Sequence, residues 1–366
     1  MASKVVLTIG TKKGLFLLTS DADRDKWDLK GPFLNGNDIN HATIDRRDGS
    51  LFATANDAWF GMRVAASPDL GETWREDLGT PKFPDGGDKA VERLWRIEPG
   101  RENERGVVYC GVDPGSLFRS DDGGASWEEN VALNTHPTRD RWFPGAGGLI
   151  VHSIVLDKDD AARMWVAISA AGVFRSEDGG ASWQPANTNL KDIIAKYETG
   201  KELSPEVGQC VHHLVHAGGD VDRLYAQTHW GTYRSDDGAS SWVDITEGLP
   251  SDFGMVMAAH PHDADAAYVL PLQGAEFRVP PEGKLRVYRT TDAGKTWEAK
   301  ANGLPQEGAY MGTYREAMSI DTLPTPGVYF GTNTGQIYGS ADAGESWRRI
   351  TADLPPVSSV SACVLE

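Results

Sequence analysis

The sequence predicts an all-β chain folded as a seven-bladed β-propeller with four-stranded antiparallel blades. Three observations predict it. A phrase of the form Ser/Thr-x-Asp-x-Gly-x-Ser/Thr-Trp returns six times, at 67–74, 120–127, 176–183, 235–242, 290–297 and 340–347. A degenerate copy runs from Ser20 to Trp27, and the seven closing tryptophans are spaced on average about 53 residues apart, a period within the range of propeller blades. Between copies, apolar strand-like runs follow one another in the same order.

The fourth repeat shows that order. An apolar run at 149–157 is followed by a charged turn, a second run at 164–169, a third at 172–176 leading into the phrase, and a fourth strand starting at Trp183. The first run is the most continuously apolar, as expected for an inner strand buried between neighbouring blades. The same order is read at 40–74, 93–127, 211–242, 255–297 and 315–347; only the first repeat lacks an inner strand. The C-terminal run 357–365 supplies it, pairing beside 5–9 and closing the ring so that no edge is exposed.

Within the phrase the Asp side chain accepts backbone N–H groups across the turn, the glycine takes a positive φ, the Ser or Thr adds a local bond, and the Trp fills space between blades. These are structural roles, preferred over calcium binding by Asp122 or Asp178. At 235–242 the glycine moves forward to Gly238, with Ala239 in its place, so a different turn is expected there.

One repeat from end to end of 366 residues makes 1–366 a single expected domain. Cys110, Cys210 and Cys363 have no metal-ligand spacing and suit a reducing compartment. The start has no long apolar stretch, so a cytoplasmic location is expected, without membrane attachment. A net charge of −17 argues against nucleic acid or an anionic membrane as partner, because phosphate binding needs clustered Lys and Arg.

The repeated phrase resembles the Asp-box, or BNR, repeat of the sialidase superfamily, and the likeness covers essentially the whole chain. The segments 107–112 and 117–127 are similar to seven-bladed BNR-like proteins, a group that includes xyloglucanase propellers, sortilin-type receptors and photosystem II assembly factors. Overall the chain resembles bacterial single-domain BNR-repeat glycosyl hydrolases, also called sialidase-like. The resemblance implies the propeller and, if the chain is an enzyme, a hydrolase of the glycosidase type. Authentic sialidases have six blades and a Phe/Tyr-Arg-Ile-Pro segment near the start. Here the nearest echo, Trp95-Arg-Ile-Glu-Pro99, sits in the third repeat and reads as the end of an inner strand, so true sialidase activity is not expected.

Strand polarity puts the repeated phrases on one face and the starts of the inner strands on the other, around an axial mouth where propellers commonly bind ligands. Alignment places Asn40, His41, Glu92, Arg93, His152, His212, Arg315 and Glu316 at that mouth, whereas His213 alternates away as a core residue. Loops on that face add Asp57, Trp59 and Phe60, Trp142, His229 with Trp230, and Glu276; aromatics beside carboxylates suit stacking on a sugar. The stretch 187–208 is long for a blade connection and reads as a short helix or lid. His216, His260 and His262 fall on the other face as turn residues.

Three functions compete. A glycosidase-type hydrolase would use Glu92, Glu316 or Asp57 as acid and base, with His152 as a further catalytic candidate. His41, Arg93, His212, Arg315, Trp59, Trp142, His229 and Trp230 would hold a small polar or carbohydrate-like ligand. A metal enzyme would use His41, His152 and His212 as axial ligands, although no cofactor is required by the sequence. A non-catalytic module would bind a protein partner on its rim.

Overall fold

A computed structural model describes residues 3–84, 89–191 and 206–366. Seven antiparallel sheets follow the repeat. Among the described residues six have four strands, and the sheet of Asp38–Ile44, Leu51–Asp57 and Gly61–Ser67 has three, with Arg75 N–H bonding Ala66 O where an outer strand would run. Val357–Leu365 is the inner strand of the first blade, paired with Lys4–Thr11 from Lys4 opposite Leu365 to Thr11 opposite Val357. The ring is thus closed by chain ends far apart in sequence, as expected. The residues 192–205, within the stretch read as a helix or lid, lie outside the described residues.

The apolar core is divided among the blade interfaces. Val6, Leu15 and Leu17 of the first blade meet Ile39, Leu51 and Ala53 of the second, and Val256, Leu270 and Val287 of the sixth meet Met318, Val328 and Phe330 of the seventh. Inner and second strands such as Gly254–Ala259 and Ala267–Pro271 are buried on both faces, which is why they read as unbroken apolar runs.

The repeated phrase forms one turn six times over. At 120–127, Ser120 Oγ donates to Asp122 Oδ1 and accepts from Gly124 N–H, while Ser126 donates its N–H to Asp122 Oδ1 and its hydroxyl to Oδ2. These bonds hold the Asp122 carboxyl down at about 2. The 235–242 turn keeps the same bonds although its glycine has moved, contrary to expectation: Ala239 N–H bonds Ser235 Oγ and Ser241 bonds Asp237. Ala239 accepts φ 68° to do so, as Leu70, Ala293 and Ala343 accept left-handed values in other copies. Among the described residues four indoles of the repeated phrase tie blades together: Trp127 donates to Gly79 O, Trp183 to Asn130 Oδ1, Trp242 to Ala186 O and Trp297 to Ile245 O.

Six of the inner strands share an irregularity. Pairing with the second strand breaks at Ile39/Ala42, Leu94/Arg96, Val151/Ser153, Val211/His213 and Gly254/Met257, and on the closing strand near Val357. A bulge of this kind inserts an extra residue and shifts the in–out alternation beyond it by one.

Candidate functional site

The bulges decide what faces the axis. His41, Trp95, His152 and His212 occupy the bulged positions, and Arg96 and His213 come next, turned inward by the shift. Arg96 lies at the centre. Its Nη1 donates to Glu316 Oε2 at 2.6 Å, and its Nε and Nη2 donate to Glu98 Oε2 at 3.1 and 2.6 Å. His213 Nδ1 lies 2.5 Å from Arg315 O, Arg315 Nη2 donates to Ser169 Oγ, and His41 Nε2 lies 3.2 Å from Ser361 Oγ.

These groups are buried: Glu316 is 3% exposed, His41 1%, His152 0% and His213 6%. His41 is held well below the ordinary histidine value by burial and then by the Arg96 charge, and His152 by burial and then by Arg315; both rings are therefore neutral. The His41 Nδ1, His152 Nε2, Arg315 Nε and Glu316 Oε1 atoms have no protein partner at hydrogen-bond geometry. Buried polar groups left unpaired each cost roughly 1–3 kcal/mol.

A cavity of about 800 Å³ opens beyond the waist. Its walls are the ends of the inner strands and the turns after them, with Arg46, Arg96, Glu98, Arg101, His213 and His216 among the lining. Those turns sit with the repeated turns, since Gly123 N–H bonds Gly106 O and Gly179 N–H bonds Ala162 O. The cavity therefore opens on the repeated-turn face, whereas on the other side Arg93 bonds Asp113 and Gly147 O, and Arg315 is buried.

The predicted residues consequently separate. Glu316, His41 and His152 reach the waist. His213, expected to alternate away as a core residue, lines the axis because of the bulge, and Arg96 and Glu98, read only as a strand end, are the residues missed for the same reason. His216 also lines the cavity, beyond its expected turn role; its Nε2 lies 3.0 Å from Val221 O. Glu92 is exposed, and Asp57 caps its own turn by accepting N–H bonds from Phe60 and Trp59, which lower its pKa. Trp142 is not an exposed platform: it is 7% exposed, packed 4.9 Å from Phe174, with its indole N–H on Thr138. Trp59 and Phe60 are exposed as expected, at 91% and 89%. His229 and Trp230 line a separate cavity of about 360 Å³ with Phe253 and Glu276.

The ligand atoms of His41, His152 and His212 are not gathered within 4.8 Å of one another; among the described residues the group that is gathered is Cys210, His212 and His229.

No family model matches the chain. A curated relative, the oligoxyloglucan-reducing end-specific xyloglucanase of Emericella nidulans, is 23% identical over 372 residues, which is 90% of this chain and 43% of that protein. The chain thus spans less than half the length of the curated relative it matches. Among solved structures, an ancestral GH74 enzyme superposes with a TM-score of 0.60 at 16% identity, over 86% of this chain and 38% of that one. YCF48 from Cyanidioschyzon merolae gives 0.53 at 14%, over 86% and 84%, and apo AztD from Citrobacter koseri 0.56 at 12%, over 100% and 99%. What these share with the chain is the propeller. Among the described residues no helix is long and apolar enough to cross a membrane.

Proposed function

We propose that this chain is a glycoside-hydrolase-like propeller of the Asp-box type, one domain over 1–366, that binds a small polar, carbohydrate-like ligand in its axial funnel. The Arg96–Glu98 pair that lines the funnel, with Glu316 bonded behind it, carries the reading, because hydroxyl groups both donate and accept and would meet such a mixed set. The similarity to a xyloglucanase over nine-tenths of the chain supports a carbohydrate. The funnel on the repeated-turn face takes precedence over the opposite mouth, because Arg96 and Glu98 line it and Glu316, bonded to Arg96, lines the cavity beside it.

If the site hydrolyses its ligand, Glu98 and Glu316 are the carboxylate pair. Both bond one guanidinium, so they are separated by no more than two hydrogen bonds and its width, a span compatible with the roughly 5–10 Å that glycosidic cleavage uses. Titration calorimetry with neutral and acidic oligosaccharides tests the binding. The expected result is saturable heat that falls at least about tenfold in affinity in Arg96→Gln, an effect of about 1.4 kcal/mol. Absence of heat with every saccharide, together with capture of a protein by the exposed Trp59–Phe60 rim, would favour a binding-module role, as one solved neighbour, YCF48, is seen bound to D1 peptide.

A further inference from the structure

We propose that Cys210, His212 and His229 form a binding site for a soft or borderline transition-metal ion, Zn²⁺ or Cu⁺, on the face opposite the axial funnel. Their ligand atoms, one sulfur and two imidazole nitrogens, all lie within 4.8 Å of one another. Metal–ligand bonds of roughly 2.0–2.3 Å place tetrahedral ligands between about 3 and 4 Å apart, so rotation of side chains by about an ångström closes the set.

The local chain arranges this convergence. Cys210 and His212 are two residues apart at the start of the inner strand Val211–His216, with His212 at the bulge. His229 lies in the loop after Leu224–Thr228, and its backbone N–H bonds Cys210 O at 2.9 Å, which fixes the loop against the strand. His212 Nδ1 lies 2.6 Å from Gly254 O, which can only accept, so the ring proton is on Nδ1 and Nε2 carries the lone pair. An imidazole whose other nitrogen donates to a carbonyl is the usual second contact of a metal-binding histidine. Phe253 packs against both rings at 5.2 Å, keeping the histidines in place and limiting water around them.

Thiolate with two imidazoles selects zinc or cuprous ion over calcium or magnesium, which take oxygen ligands. Three protein ligands leave a fourth position, and His229 also borders the 360 Å³ cavity, which supplies room for water or an exogenous ligand there. Burial raises the Cys210 thiol, while the nearby Arg315 charge favours its thiolate. The spacing is invisible in sequence, since Cys210-x-His212 is separated from His229 by two strands.

Cobalt and zinc titrations of the full chain, purified without a histidine tag, test the site. The expected result is one equivalent of Zn²⁺ per chain, and with Co²⁺ a thiolate-to-cobalt charge-transfer band that zinc displaces. Cys210→Ser should abolish the band, and His229→Gln should weaken affinity at least tenfold; His262→Gln, on the other face, should change neither. A wild-type protein that takes up less than half an equivalent and shows no charge-transfer band overturns the proposal whatever the variants do. So does a band that survives in folded Cys210→Ser. Saccharide binding at the funnel is a separate measurement and can fail or succeed independently.

Discussion

At the scale of single residues, the axis holds its buried charge by pairing or hydrogen bonding and its histidines by neutrality. Arg96 is kept inside by two carboxylates, and His41 and His152 are kept inside by being neutral. The two histidines make stability depend on pH. Their folded values lie well below 6.5, so below about pH 6.5 the unfolded chain binds protons that the folded chain refuses, and stability is lost as pH falls, by up to about 1.4 kcal/mol per pH unit for each ring. Urea unfolding at pH 7.5 and pH 5 should show a clear loss at the lower value, smaller in His41→Gln; equal midpoints at both would disprove the assignment of neutral buried rings. His41, His152 and Glu316 were legible as axial residues because polar groups interrupt an apolar strand. Arg96 and His213 were not, because strict alternation points them the wrong way and only the bulge corrects it.

At the scale of elements, the repeated turn is a self-contained hydrogen-bonded unit, and the inner strand is its counterpart with a built-in defect. The turn tolerates a displaced glycine at 238 because the bonds to Asp237 and Ser235 hold Ala239 in a left-handed conformation. The indole that ends each phrase has the larger energetic role. Trp242 is 2% exposed within the interface of the fourth and fifth blades and bonds Ala186 O, so Trp242→Ala should cost about 3–5 kcal/mol by chemical denaturation. Trp59→Ala, at 91% exposure, should leave stability within about 0.5 kcal/mol. A similar loss for both would mean that the repeat tryptophans do not anchor the interfaces. Trp142 shows why such roles are hard to read in advance: it stands in a polar loop sequence, but the turn at Arg139–Arg141 directs it into the core beneath.

At the scale of the molecule, the ring is held shut by Val357–Leu365 against Lys4–Thr11. Removing 357–366 would open the first blade, expose the edge of Lys4–Thr11 and uncover Val5, Leu7 and Ile9. Such a chain should aggregate or lose its cooperative transition in a thermal melt followed by light scattering; melting like the full chain would sink the closure argument. The sequence by itself determined the number of blades, their strand order, the closing strand and the structural nature of the Asp and Trp repeats. These follow from local periodicity and turn chemistry, which act between neighbours in the chain. Only the tertiary structure decided which face opens, that Arg96 joins Glu98 to Glu316, and that Cys210 and His212 meet His229. Those contacts join residues from different blades or across loops, and their directions are set by bulges that no one-dimensional pattern records.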